Sequence, residues 1–385
     1  LVPKHYTEKC PPLVPLPERI VEQARTNTGT LASFLRLHGV SSETGLLGSV
    51  FAQRDVEYVQ DLRRHPKFGG SSNELQQNIS VLMCPLIAGK RRLGVLAVAT
   101  VKPERAFSEE DIEVFGALGE QCAFAIGSRH AHAEATAKKA LEAELRNASE
   151  IQRVLLPDKA PEMNGFEIAC RNLPAQLVSG DYYDFFPVDE EHFGVVIADV
   201  SGKGISASLI TAMCRSVLRT HARSDLSPAS VLSKVNRNLF PDIREDMFIT
   251  STYVEVSKDG AGVVLARAGH TNPLLWRKAS GEVEEIKAPG LAVGVDKGDV
   301  FERVTKDVSL DMRSGDVLLL YTDGVNEATD HKGLEFGEKR LRTSLAEGGP
   351  VSAQRVVATI IEDVDTFMAG DPKGDDITIV VIRKR

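Results

Sequence analysis

Apolar positions recur along this chain in distinct rhythms, and the rhythms divide it. Over Ser80–Pro85 and Arg92–Ala99, aliphatic and β-branched residues run almost unbroken on either side of Gly89-Lys90, which predicts two strands joined by a hairpin. Ahead of them, the proline-rich Leu1–Pro17 reads as an irregular tail and Pro17–Gln23 as a short helix. Leu31–Leu37 reads as an apolar strand, and Ser49–Phe51 as a helix-to-loop transition. From Phe107 the spacing becomes helical. Ser108 stands as an N-cap with Asp111 three residues on, a near capping box, and apolar residues keep helical spacing through Ile126. Strands closed by a long helix predict an α+β domain ending near Gly127.

Ser128–Leu156 is rich in Ala, Glu, Lys and Leu and holds no Gly or Pro before Pro157. Leu141, Ala148 and Leu155 are spaced by sevens, with Leu145 and Ile151 on adjoining positions. This predicts a long linker helix and a two-stranded coiled coil, the other reading being a single helix lying on its own domains. Beyond Pro157 the pattern turns to short β-rich runs: FEIACRNLP, HFGVVIADV, FITSTYVEV, GVVLARAG, NPLLWRK, DVLLLYTDG and DITIVVIRK. Helical stretches at Ser206–Ala222, Pro228–Leu239 and Ser352–Phe367 interrupt them. Many strands with a few segregated helices predict two packed sheets flanked by helices. The expected domains are therefore 1–127, a helical linker over 128–157, and 158–385.

Length agrees with this division, since 385 residues exceed one ordinary core. The formal net charge of −8 offers no basic face for nucleic acid. The cysteines, Cys10, Cys84, Cys122, Cys170 and Cys214, form no C-x-x-C pair and read as buried, reduced thiols. No apolar run is long enough to span a membrane and no signal pattern opens the chain, so a cytoplasmic location is expected. The chain begins at Leu1 without a Met, so the natural protein could start further upstream.

The chemistry lies in aspartates at strand ends. Asp181 stands in SGDYYD, Asp199 closes GVVIADV ahead of SGKG, Asp323 closes VLLLYTDG, and Asp375 and Asp376 precede ITIVVI. Each motif alone reads as turn chemistry, and SGKG alone could also cradle a phosphate. Together they would bring several carboxylates to one sheet edge, where they resist ionising unless a cation neutralises them. All-oxygen ligation suits Mg²⁺ or Mn²⁺ rather than Zn²⁺. A nucleotide-binding kinase is excluded by the lack of a phosphate-binding G-x-x-x-x-G-K-[ST] loop or an H-R-D set.

The ordered set LVSGDYYDFF, ADVSGKGISASLITAM, RAGHTNPLL, YTDGVNEA and GDDITIVVI, opened by EIQRVLLP, resembles the SpoIIE/RsbU-like branch of the metal-dependent protein phosphatases (PPM, type 2C). The resemblance implies an α-β-β-α sandwich of two antiparallel sheets with a binuclear Mn²⁺ or Mg²⁺ site. By the same resemblance Asp181 ligates one metal and Asp199 bridges both, assisted by the Val200 backbone carbonyl. Asp323 and Asp375 complete the shell, with Asp376 the weaker alternative to Asp375. The implied reaction is hydrolysis of phosphoserine or phosphothreonine on a protein, with an anti-sigma-factor antagonist in partner-switching signalling as the implied substrate. Three residues stay open. Lys203 stands where many relatives have His, and either touches phosphate or faces solvent. Arg171 is a positional candidate for a phosphate-holding arginine. His270 is either a proton donor or a structural histidine.

Leu31–Gly127 resembles the GAF sensor domain, an α/β module that in the family can hold a small-molecule ligand. Cys84 and Cys122 read as buried thiols rather than as a chromophore or redox site. A homodimer paired through the linker helix is expected. The competing function is a catalytically silent regulatory module, or a GAF-based small-molecule receptor.

Overall fold

The structure is a computed structural model, which describes residues 13–14, 16–26, 33–34, 39–68, 78–101, 107–157, 159–223, 225–260, 262–348, 351–371 and 373–385. It divides into two compact units, Leu1–Ala140 and Leu141–Arg385. No described helix is long and apolar enough to cross a membrane.

In the first unit, helices Glu18–Thr26 and Gly45–Ala52 precede strands β1 (Glu57–Val59), β2 (Ser80–Ala88) and β3 (Arg91–Thr100). The strands form an antiparallel sheet in the order β1-β2-β3, and Gly89 takes the positive φ of 60° that the hairpin turn needs. β2 is apolar on both faces because both are covered. Val81 and Met83 pack with Leu46 and Val50, whereas Leu82 and Cys84 pack with Phe115 of the long helix. The strand expected over Leu31–Leu37 is corrected at Ser33 and Phe34, which are helical; its other residues lie outside those described.

The long helix runs unbroken over Glu109–Leu155. Its start is capped as expected: the Ser108 amide and hydroxyl both donate to Asp111 Oδ2 at 2.8 Å, and the Asp111 amide returns a bond to Ser108 Oγ. It does not stop near Gly127. Gly119 and Gly127 are packing glycines: a Cβ would lie 2.3 Å from Cys84 Sγ at the first and 2.5 Å from the Ala88 Cβ at the second. The boundary between the compact units falls inside this helix.

The second unit holds two five-stranded sheets, all of whose pairings are antiparallel. One contains β4 (Phe166–Leu173), β9 (Leu274–Trp276), β10 (Val283–Glu285), β12 (Val317–Tyr321) and β13 (Ile377–Lys384), ordered β10-β9-β12-β13-β4. The other contains β5 (Asp181–Pro187), β6 (His192–Val200), β7 (Ile249–Ser257), β8 (Val263–Ala268) and β11 (Val308–Leu310), ordered β11-β8-β7-β6-β5.

Alternation along the strands sorts their side chains into layers. Val195 and Ile197 of β6 point between the sheets, where they meet Leu318 and Leu320 of β12 and Val380 and Ile382 of β13. Val196, Ala198 and Val200 point outward onto helices Ile205–His221 and Pro228–Leu239. Val317, Leu319 and Tyr321 point the opposite way, onto helices Gly337–Gly348 and Ala353–Met368. Strands buried on both faces are apolar at most positions, so these runs looked continuous in the sequence. Each fully buried Val, Ile or Leu contributes about 1.5–3 kcal/mol of transfer free energy. The architecture is the expected sandwich of two antiparallel sheets between helical layers.

Candidate metal-binding active site

The same alternation turns polar at one end of the layer between the sheets. Asp181 and Asp199 are direct register partners across β5 and β6, and both share the inward face with Tyr183 and Ile197. From the opposite sheet, Thr322 follows β12 and Thr378 lies in β13. The Thr322 hydroxyl donates to Asp181 Oδ2 at 2.9 Å, the Thr378 hydroxyl donates to the same oxygen, and the Thr378 amide donates to Thr322 Oγ at 3.0 Å. Asn172 of β4 adds a bond from Nδ2 to Thr378 Oγ at 2.7 Å. One Asp181 oxygen is thereby fixed by the facing sheet.

Glycines allow the loops to close in. A Cβ on Gly180 would lie 2.9 Å from the Val200 carbonyl oxygen and 3.2 Å from Asp199 Oδ1, so a side chain there would fill the cradle around both. A Cβ on Gly324, next to Asp323, would lie 2.0 Å from the Asp376 carbonyl oxygen. The helical turn Asp323–Asn326 therefore lies directly on the Asp375-Asp376 segment because residue 324 has no side chain.

Asp375 and Asp376 are placed very differently. Asp376 is buried and its oxygens are engaged: Oδ1 accepts from the Ala175 amide at 2.7 Å, and Oδ2 accepts from Ser179 Oγ at 2.7 Å and the Gly180 amide at 2.9 Å. It ties down the loop that presents Asp181. Asp375 is half exposed and faces Lys203, whose Nζ lies 3.2 Å from its Oδ2 and donates to the Gly374 carbonyl at 2.7 Å. Lys203 is thus half exposed to solvent and paired with the Asp375 segment.

The carboxylates act strongly on one another. Burial and then the Asp199 charge hold the Asp181 carboxyl well above the usual carboxylate range. Burial, followed by the charges of Asp323, Asp375 and Asp376, pushes Asp199 up to about 7. Asp323 is raised by burial and then by Asp375, with Lys203 acting in the opposite sense. Among the described residues, no three His, Cys, Asp or Glu side chains are already gathered to hold a metal ion. The donor chemistry nevertheless fits one: mutually repelling carboxylates and a backbone carbonyl are hard oxygen ligands for which a divalent cation is the natural counter-charge.

Two further candidates, Arg171 and His270, sit in different surroundings. Arg171 is exposed on β4 and shares the outward face with Ala169, while its neighbour Asn172 turns inward; the phosphate-holding role considered for it is corrected on that ground. His270 is 5% exposed, its Nδ1 is 2.8 Å from Thr250 Oγ, and burial followed by the Arg267 charge pushes its pKa down to about 3. Thr250 is the register partner of Asp199 and donates to its carbonyl at 3.4 Å, so His270 lies beside the site, where its low pKa leaves it a neutral, structural imidazole rather than a proton donor.

Of the residues that hold the site, Thr322, Thr378, Ser179 and Asp376 lie in or beside the strand-end motifs, and Asn172 lies near the end of β4. A further one is Asp184, which faces outward from β5 and is completely buried. Its Oδ2 accepts from Arg219 Nε at 2.7 Å and Tyr182 OH at 2.8 Å, and its Oδ1 accepts from Arg219 Nη2 and the Phe185 amide at 2.8 Å. This pair bolts helix Ile205–His221, which follows the Asp199 loop, to the strand that begins at Asp181.

Residues 189–385, just over half of the chain, match the family described as Stage II sporulation protein E (SpoIIE), and residues 18–127 match the GAF domain. Phosphoserine phosphatase RsbU of Bacillus subtilis is 28% identical over 245 residues, spanning 64% of this chain and 71% of that protein. Phosphoserine phosphatase RsbP of the same organism is 31% identical over 156 residues, which is 40% of this chain and 38% of RsbP. Among solved structures, the SiaA-PP2C domain of Pseudomonas aeruginosa superimposes with a TM-score of 0.56 at 23% identity, covering 65% of this chain and 98% of that domain. A structure of RsbU and RsbW domains from Mycobacterium tuberculosis superimposes with a TM-score of 0.51 at 20% identity, over 60% of this chain and 63% of that one. The chain belongs to the SpoIIE family, with a phosphatase domain of the PP2C type behind a GAF domain.

Proposed function

We propose that this phosphatase hydrolyses phosphoserine or phosphothreonine on a partner protein with a pair of Mn²⁺ or Mg²⁺ ions held by Asp181, Asp199, Asp323 and Asp375. The observation that carries the reading is the cross-strand pair Asp181–Asp199, charge-coupled to Asp323 and Asp375 at one end of the sandwich. Asp199 would bridge the ions with help from the Val200 carbonyl. Asp375 is the fourth carboxylate, because both Asp376 oxygens are committed to the 175–180 loop. When bound, the ions would lower the pKa of an attacking water and offset charge on the phosphoryl oxygens.

The chain's own residues supply placement. Thr322 and Thr378 fix the orientation of Asp181, and Gly180 and Gly324 bring backbone and carboxylates close enough to serve one centre. Attack of water on phosphorus breaks the bond to the serine or threonine oxygen, which leaves as the alcohol. Cys84, Cys170 and Cys214 have thiol pKa values raised first by burial, so none of these three suits the role of a thiolate nucleophile.

The names of RsbU and RsbP support a phosphoserine substrate, and the partner we propose is a phosphorylated anti-sigma-factor antagonist. Regulation is proposed to enter through a small-molecule ligand or partner of the GAF domain and through a homodimer paired along the helix Glu109–Leu155. Exposed Leu141, Ile151 and Val154 on that helix support pairing. A silent binding module is disfavoured because the four carboxylates are all present. Hydrolysis of p-nitrophenyl phosphate with Mn²⁺, Mg²⁺ or EDTA tests the reading: activity should need the divalent ion and vanish in Asp199→Asn. Equal turnover in EDTA would refute it.

A further inference from the structure

The last turns of the helix Glu109–Leu155 reverse the usual polarity. Ile151 and Val154 are 68% and 83% exposed, whereas the polar Gln152 between them is only 8% exposed. Its side-chain amide pairs with both backbone groups of one residue. Nε2 donates to the Ser179 carbonyl at 2.6 Å, and Oε1 accepts from the Ser179 amide at 3.0 Å. Ser179 is itself buried, and its hydroxyl donates to Asp376 and accepts from the Asp181 amide at 3.0 Å. Gly180, the next residue, has its carbonyl taken by Thr211 Oγ at 2.9 Å and the Val200 amide at 3.3 Å. A continuous set of bonds thus runs from the helix through Ser179 to the backbone of Asp181.

From this geometry we propose that Gln152 is a positioning residue for the metal site, holding the Ser179–Asp181 loop in the conformation that presents Asp181 and the Gly180 cradle. The inference rests on the proposed metal site and deepens it. Without Gln152, both backbone groups of Ser179 lose their partner while buried, so the loop must rebuild to satisfy them. Hydrogen bonds tolerate a few tenths of an ångström, and one residue of helix rise is about 1.5 Å. A shift of the helix end by one residue therefore breaks both bonds and releases the loop.

Calorimetric titration of the full chain with Mn²⁺ separates this role from a merely structural one. Gln152→Met and Gln152→Glu are expected to weaken Mn²⁺ binding by about tenfold or more, the range seen when groups that orient metal ligands are removed. Circular dichroism should show the variants still folded. Asn236→Ala serves as the matched control. Asn236 is equally buried and makes the same two-bond clamp, from Nδ2 to the Asp296 carbonyl and to Oδ1 from the Gly294 amide, both at 2.9 Å, without touching an active-site aspartate. Its loss should lower the melting temperature and leave Mn²⁺ affinity unchanged. Wild-type affinity in both Gln152 variants, or an equal loss of affinity in Asn236→Ala, would overturn the inference. A wild-type chain that binds no Mn²⁺ would overturn the metal-site reading, and this inference with it.

Discussion

Asp184→Asn is the substitution whose consequence follows most directly from the structure. Asp184 is completely buried and accepts four hydrogen bonds, two of them from the Arg219 guanidinium. Asparagine keeps the shape but turns an NH₂ toward one or more of those donors and removes the charge opposite Arg219. The charged bonds are each worth about 1.5–3 kcal/mol, and breaking a buried pair from one side costs about 3–5 kcal/mol. Arg219 is 40% exposed and can recover some hydration, which favours the lower end, about 3 kcal/mol. For a unit of this size that corresponds to a fall of roughly 6–12 °C in the melting temperature of the phosphatase domain. Differential scanning calorimetry with Asp184→Asn, Arg219→Gln and the double variant gives the coupling directly. Arg219→Gln should be at least as harmful, because it strands a buried carboxylate with Arg215, 3.6 Å away, left to neutralise it. The double variant should be less destabilised than the sum. Additive single effects, or a loss below about 1 kcal/mol for Asp184→Asn, would refute the reasoning.

Three other outcomes are expected. Gly324→Ala should abolish activity and lower stability, since its Cβ would meet the Asp376 carbonyl at 2.0 Å; near-normal turnover would show the loop free to move aside. Asp375→Asn should lower Mn²⁺ affinity with little change in melting temperature, whereas Asp376→Asn should lower both because it releases the Ala175–Gly180 loop, so identical thermal profiles would contradict the division of roles. His270, with its pKa pushed to about 3 from 6.5, stays neutral in the fold while the unfolded chain takes up a proton as pH falls through 6.5. Stability must therefore fall by about 1.4 kcal/mol per pH unit across that window, about 2 kcal/mol by pH 5, and His270→Asn should bind one proton fewer on unfolding at pH 5.

Much of the sandwich was legible because its central strands are buried twice over. Continuous runs such as GVVIADV and VLLLYTDG have no solvent face, so neither alternation nor register was needed to find them. β5 was harder: DYYDFFP carries Asp184 in its middle, and its strand character depends on Arg219, thirty-five residues away, to neutralise that charge. β10 and β11 have three residues each, too few to show a period. Gly127 marks the expected end of the first domain in the sequence, yet in the fold it lets the helix approach Ala88 and run on. At the site, the aspartates announced themselves by standing at strand ends. Thr322, Thr378, Asn172 and Gln152 did not, because their partners come from segments distant in sequence. The choice between Asp375 and Asp376 is likewise a matter of burial and bonding that adjacent identical residues cannot reveal.

The proposed binuclear centre is held by Asp181, Asp199, Asp323 and Asp375, with Asp199 shared between the ions. Its most direct test is the stoichiometry of Mn²⁺ bound to the full chain by titration calorimetry, wild type against Asp199→Asn. Two ions per chain in the wild type, with both sites lost or severely weakened in Asp199→Asn while the domain stays folded, is the predicted result. Undiminished binding in the variant, or no binding in the wild type, would contradict it.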